Sequence, residues 1–317
     1  LCISVLFHKQ ATVYLATMKE CFISRKFNKK SRGLIQTCND IIVEYQNQNL
    51  QLTLRQLYYQ LVARDFIPNN QREYNLLAVL VNNARLAGEI DWDAIIDRTR
   101  ELRKLATWGH PKEIIDACAR QFKLDRWSTQ PFRPEVWIEK DALLGVIENV
   151  CNKLRVPYFS CRGYTSQSEM YVASKRILGY SSAGQKPIIF HLGDHDPSGI
   201  DMTRDITERL TLLTDGVFSG TDIHRLALNM DQVNQYNPPP NPTKLTDSRS
   251  TSYIDEHGNY SWELDALDPK VLSNLIEDNV LPLIERGVWD DSNGDEKLHR
   301  KHLRSIAEKW DKISKTI

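Results

Sequence analysis

The sequence predicts an α/β protein, with an α-rich front part and, behind it, a mostly parallel, Rossmann-like sheet carrying helices on both faces. Up to about residue 127 the apolar residues recur at helical spacing, and from residue 135 short apolar runs alternate with helical stretches. Such alternation marks βαβ units, whose strands run parallel. A further observation concerns where two of the runs stop: "VWIEKDALLG" (136–145) and "IIFHLGDHDPSG" (188–199) both leave an apolar run for carboxylates. In an open parallel sheet, ligands gather at that carboxyl edge.

The opening "LCISVLFHKQATVYLAT" is broken by His8 and Lys9 and lacks the basic start of a signal peptide. It falls far short of the roughly 20 apolar residues of a membrane span. Residues 1–17 are expected to be a poorly ordered lead or upstream read-through, within a lead segment of 1–32, and Met18 opens ordinary domain character. "SRGLIQTCNDIIVEYQNQ" (31–48) places Leu34, Cys38, Ile41, Ile42 and Tyr45 on one helical face. "TLRQLYYQLVARD" (53–65) is a second helix with Thr53 as N-cap, and "REYNLLAVLVNNARLAGEI" (72–90) a third, closed by Gly88. "DWDAIIDRTR" (91–100) reads as an extended piece. Three helices and an extended element describe a winged helix-turn-helix, which lays one helix in the major groove of DNA. This domain is expected over 33–127 and includes a further helix at 110–122, with "STQPFRP" (128–134) as linker.

The second domain is expected over 135–317. Strands at 135–139, 156–161, 187–192 and 223–228 alternate with helices at 140–154, 167–179 and 199–213. The Pro-, Ser- and Asn-rich segment 237–261 is expected to be a long active-site loop or a flexible excursion. "WELDAL" (262–267) and helices at 269–286 and 295–314 close the chain.

The formal net charge of zero conceals an asymmetry. Residues 1–133 hold 20 Lys and Arg against 13 Asp and Glu, and residues 134–317 hold 21 against 28. A basic front and an acidic rear fit a DNA-gripping module beside a metal-binding one. The six cysteines form no CxxC pair, which argues against zinc, and several of them read as small buried residues. No GxxxxGK[ST] phosphate loop occurs.

Glu139, followed by Lys140, ends one strand, and Asp194 and Asp196 follow another. Three carboxylates at one sheet edge form a candidate Mg²⁺ site, because a hard cation removes their mutual repulsion. The bland reading of "GDHDPSG" is a turn, since Asp, Pro, Ser and Gly are turn formers. Between the two strand ends, Arg162 and Gly163 close the intervening strand, where backbone can approach a phosphate. Lys140 either contacts phosphate or screens the acidic cluster. His191 and His195 are expected to be structural, since Mg²⁺ prefers oxygen. In "TLRQLYYQL", one of the adjacent tyrosines is expected to point away from the core, and Tyr58 fits the apolar helix face better than Tyr59; helix packing is the alternative reading of both. Arg85, flanking the third helix, is a candidate DNA contact, while Arg72 reads as solvated surface.

A strand-terminal Glu, a Gly after the next strand and a DxDxxG resemble the Toprim domain of topoisomerases, primases and related nucleases. The "EKDAL" and "DxDPxG" forms are similar to the topoisomerase VI A subunit and its meiotic double-strand-break relative, above all to compact phage- and plasmid-borne variants. The resemblance covers about residues 33–228, with "WELDAL" as a weaker extension; Glu263 and Asp265 either lie near the site through it or cap a strand, and for Asp265 the cap is favoured. It implies a winged helix before the Toprim domain. It also implies a motif near "RDIYY", which Arg55 and the nucleophile Tyr59 match and Gln56, in place of Asp, does not.

The implied activity is that of a type IIB DNA topoisomerase A subunit, a strand-breaking transesterase. Tyr59 would attack a phosphodiester, Arg55, Glu139 and Lys140 would assist, and Mg²⁺ would be held by Glu139, Asp194 and Asp196. The implied partners are double-stranded DNA, a second copy of the chain, and a separate GHKL-type ATPase B subunit that alone would use ATP. The implied setting is cytoplasmic, nucleoid-associated or encoded by a phage or mobile element. A hydrolytic Toprim nuclease of the plasmid- or phage-defence kind and a non-catalytic DNA-binding scaffold are the alternatives.

Overall fold

The structure, a computed structural model, describes residues 19–48, 50–96 and 105–316. The expected lead at 1–17 and the basic end of the extended piece, 97–100, lie outside the described residues. The protein is an α/β protein whose N-terminal part is α-rich. It divides into two compact units, the described residues up to Tyr58 with Phe66–Ile96, and Tyr59–Asp65 with those beyond 104.

The first unit holds α1 (Lys29–Gln46), the start of α2 (Leu54–Ala63) and α3 (Gln71–Leu86). Each start carries a side-chain cap, which satisfies an amide that has no partner within the helix. Asn28 accepts from Ser31 N–H on α1, and Asn70 from Glu73 N–H on α3. On α2, Thr53 and Gln56 cap one another reciprocally: Gln56 Oε1 accepts from Thr53 N–H at 2.8 Å and Thr53 Oγ1 from Gln56 N–H at 3.3 Å. α1 buries Ile35, Cys38, Ile41, Ile42 and Tyr45, the spacing of one helical face. The extended piece meets the chain before α2 through a bridge between Leu52 and Ile95.

The second unit is built on a four-stranded parallel sheet of order β2-β1-β3-β4, from β1 (Phe132–Ile138), β2 (Tyr158–Ser160), β3 (Lys186–Leu192) and β4 (Ile223–Ala227). Between them run α5 (Leu144–Leu154), α6 (Gln167–Ser182) and α7 (Pro197–Leu213). Strand alternation divides the core into two layers. Val136, Ile138, Ile188, Phe190 and Leu192 pack with α5 and with α10 (Pro269–Val280) on one face. Trp137 and Ile189 pack with α6 and α7 on the other. Helices cover both faces, and the sheet is Rossmann-like.

Two expectations are corrected. The segment 237–261 is ordered into a short antiparallel pair, β5 (Asn241–Pro242) and β6 (Tyr260–Ser261), around α9 (Ser250–His257). α9 folds because Tyr253 is buried against His195. The last long helix, α11 (Arg286–Glu308), begins well before residue 295. In addition, α4 (Pro111–Gln121), read from sequence as part of the front domain, packs on α11 in the second unit. Arg300 donates there to the carbonyls of Ala119 and Arg120, both at 3.0 Å. No helix among the described residues is long and apolar enough to cross a membrane.

Candidate active site at the carboxyl edge of the sheet

β1 and β3 are adjacent and in register to their last residues, Ile138 opposite Leu192. The next residue of each chain therefore leaves the ladder at the same level. Glu139 N–H still donates to Leu192 O at 2.8 Å, and the Asp194 N–H returns a bond to Glu139 Oε2 at 2.8 Å. This places Glu139 and Asp194 at one spot although both follow apolar strands. Gly193 between them allows it: a Cβ there would lie 3.1 Å from Glu139 Oε2. Gly199 is tighter still, since a Cβ would lie 2.2 Å from the Asp194 carbonyl oxygen.

Asp194 and Asp196 do different work. Asp196 is the N-cap of α7, its Oδ1 accepting from Gly199 N–H at 2.6 Å and from Ser198 Oγ at 2.9 Å. Asp194 Oδ1 accepts from Leu264 N–H at 2.7 Å and faces Lys140 Nζ at 2.9 Å. The same ammonium reaches Asp265 Oδ1 at 3.1 Å and contacts Glu263. Lys140 is thus the cation at the centre of three carboxylates, and Asp265, expected to cap a strand, is one of them. The "WELDAL" segment is brought in by a reciprocal backbone bridge: His195 N–H donates to Trp262 O at 2.8 Å and Trp262 N–H to His195 O at 2.9 Å.

Burial and crowding set the charge states. Burial raises the Glu139 carboxyl, and nearby Asp196 adds to the rise against Lys140 and Arg225. Burial pushes Asp194 up to about 8, with Glu139, Glu263 and Asp265 adding to the rise against Lys140. Burial alone would lower Lys140, but Asp265, Asp194 and Glu263 hold it well above the usual lysine range. His191 is fully buried, and burial, aided by Arg225, lowers it to about 3. His195 Nδ1 lies 2.7 Å from Tyr253 Oη, and burial lowers this ring to about 4. Burial thus keeps both rings neutral.

Arg225, in β4, was not singled out from sequence. Its guanidinium is buried beneath the Asp194 loop and donates to the carbonyls of Asp194 at 2.5 Å, Gly199 at 2.8 Å and Gly193 at 3.1 Å. The available signal was an arginine, beside His224, inside a strand whose other residues are apolar. Burial lowers it to about 10, yet the nearby carboxylates keep it a cation.

The resemblance implies a divalent cation at Glu139, Asp194 and Asp196. The donors suit a hard cation in kind, being carboxylate oxygens crowded enough to raise two of the carboxyls. Their arrangement is another matter. Among the described residues, no three His, Cys, Asp or Glu side chains are grouped as a ready metal site. Asp194 is turned to Lys140 and Leu264, and Asp196 to its cap. Seating a cation requires these side chains to turn.

Other expected site residues lie elsewhere. Arg55 is exposed on the first turn of α2. Tyr58 is buried, as expected, with its hydroxyl accepting from Asn70 N–H at 2.8 Å. Tyr59 is buried too, at 4% exposure, against the expectation that it points outward. The cause is that α2 is buried in an unbroken run from Gln56 to Val62, so it has no solvent face over that turn. Arg85 stacks over Trp92 at 4.8 Å and donates to Ile95 O at 3.1 Å and to Trp92 O, so it braces the extended piece. Arg162 is largely exposed and pairs with Asp141 at 3.0 Å, and Gly163, at φ 83, has open space around it. Cys38, Cys151 and Cys161 are buried, and burial raises each thiol to about 12. No family model matches the chain, and no curated protein matches it.

Proposed function

We propose that the protein is a DNA strand-breaking transesterase of topoisomerase VI A type, with a winged-helix front and a Toprim domain acting with Mg²⁺. One observation carries this reading: Glu139 and Asp194 meet across adjacent strand ends, with Asp196 two residues on, at the edge where parallel sheets hold phosphate ligands. Tyr59 Oη attacks a phosphorus of the DNA and loses its proton to solvent, and the phosphorus–oxygen bond to the neighbouring sugar breaks, the departing oxygen taking a proton from solvent. A phosphotyrosine link and a free sugar hydroxyl result. Arg55, one turn before Tyr59, holds the same phosphate. Lys140 keeps Asp194, Glu263 and Asp265 from repelling an incoming phosphate. A cation, when bound, stabilises charge on the phosphate oxygens. A symmetric dimer supplies two tyrosines for the two strands, and any ATPase sits on a GHKL-type partner.

A hydrolytic Toprim nuclease is the second reading, and the burial of Tyr59 favours it. The test is incubation with supercoiled DNA and Mg²⁺, followed by denaturation and a search for DNA bound covalently to protein. Transesterification predicts an adduct that vanishes in Tyr59→Phe. Hydrolysis predicts cutting without adduct and an active Tyr59→Phe. Asp194→Asn is expected to stop cleavage under both. Cleavage intact in both variants removes both readings.

A further inference from the structure

The segment before α1, expected to belong to a lead, is held along α3. Cys21 bridges Ala87, and the Phe22 and Ile23 N–H groups donate to Leu86 O at 2.8 and 3.0 Å. The Phe22 ring meets Trp92 edge-on at 5.6 Å. At its other end the segment enters α1 through the Asn28 cap. Between these anchors it carries Arg25 and Lys26, and the first turn of α1 adds Lys29, Lys30 and Arg32. All five are exposed, and no Asp or Glu occurs from Cys21 to Asn39.

The segment borders a groove of about 350 Å³. Arg25, Lys26 and Ser31 stand on one side of it and Leu76, Val79 and Asn83 of α3 on the other, and no carboxylate lines it. Helix stability does not account for the lysines, because cations in a first turn oppose the helix dipole. Nor does α3 bring much charge of its own. It holds two arginines, and Arg85 is turned inward onto Trp92 and the Ile95 carbonyl.

We propose that Arg25, Lys26, Lys29, Lys30 and Arg32 grip the phosphate backbone of a duplex that lies along α3. That the nucleic acid is DNA rests on the strand-breaking reading. Five cations within residues 25–32 suit a polyanion that presents one charge per about 1.7 Å of its axis; a lone phosphate would leave most of them unanswered. A helix-turn-helix lays one helix in the major groove and takes its register from backbone contacts beside it. Cations along the border of α3 have that layout, which favours a duplex over a lipid surface. Such contacts position the protein and read no sequence. The two anchors order the segment before binding, so little of the binding energy goes into fixing it.

The test compares the full chain with a variant carrying Arg25→Gln, Lys26→Gln, Lys29→Gln, Lys30→Gln and Arg32→Gln together, in EDTA so that no strand is cut. Because all five side chains are exposed, thermal melting should be unchanged. Binding of two duplexes of unrelated sequence is measured against salt. Each phosphate contact contributes about 0.9 to the slope of log K on log salt, so the variant's slope should be shallower by about 4 on both duplexes. A control carries Lys297→Gln, Lys301→Gln, Arg304→Gln, Lys309→Gln and Lys312→Gln, exposed cations of the C-terminal helices, and should keep the parent slope. A parent that binds duplex with a slope the variant retains, an equal loss in the control, or a loss confined to one sequence overturns the inference and leaves the DNA reading standing. A parent that binds neither duplex overturns both. Phosphatidylserine vesicles bound by that parent and not by the variant would then assign the segment to a lipid surface.

Discussion

Two buried carboxylates in the second unit have opposite fates. Glu296, on α11, is 3% exposed and meets donors on every side: Leu124 N–H at 3.1 Å, Arg155 at 3.0 Å and Arg126 at 3.5 Å. Burial works to raise it, but the Leu124 amide and the two arginines outweigh burial and lower it. Asp194 is 6% exposed, and it shares one ammonium with Glu263 and Asp265. Burial and its acidic neighbours win there, and it rises to about 8. Low exposure alone thus does not set the outcome: Glu296 is a brace among cations, whereas Asp194, packed far more deeply, is a poised site where carboxylates outnumber cations. Glu296 ties α11 to the chain before β1, whereas Asp194 sits at the sheet edge where a ligand cation would relieve it.

The largest test of this contrast is Lys140→Met. Three carboxylates would lose their shared cation, and breaking such a buried arrangement costs about 3–5 kcal/mol. Denaturant unfolding measures the loss. Millimolar Mg²⁺ should restore part of it, because a divalent ion can replace the ammonium. Glu296→Gln keeps an acceptor for the Leu124 amide and should cost less, about 1–3 kcal/mol, with no recovery in Mg²⁺. Equal recovery in both variants would break the comparison.

Gly199→Ala asks whether the poised site depends on its backbone. The added carbon meets a backbone oxygen that Arg225 already holds. Overpacking of this kind costs about 1–3 kcal/mol. The shift should fall on the Asp194 carboxyl, and titration by NMR in the variant would detect it.

The two groups are also separated by pH. Asp194 binds a proton on folding between its unfolded value, about 3.9, and its folded value of about 8. Its contribution is full below the lower limit and lost as pH rises through the upper one. Glu296 has the opposite sign. Its contribution is present above an unfolded value of about 4.3 and is lost as pH falls through its depressed folded value. In metal-free buffer, Asp194→Asn should flatten the stability profile on the neutral-to-alkaline side and Glu296→Gln on the acid side. One substitution flattening both limbs would mean that the two clusters are not independent.

Read alone, the sequence determined what is local. The alternation of apolar runs and helical periodicity placed β1, β3, α5, α6 and α7, because strand and helix periods are written in consecutive residues. It also put Glu139 and Asp194 at strand ends, since each follows a run that stops abruptly. Only the tertiary structure decided what meets across distance. The union of Lys140 with Glu263 and Asp265 spans more than 120 residues and depends on the His195–Trp262 bridge, which has no local signature. The seat of α4 on α11 spans a still longer interval and was invisible for the same reason. Tyr59 illustrates the rule within one helix. Its spacing assigned it an outer face, but the packing around α2 from Gln56 to Val62 left no such face. Periodicity reports which side of an element is apolar; how many sides are covered depends on neighbours that a sequence window does not contain.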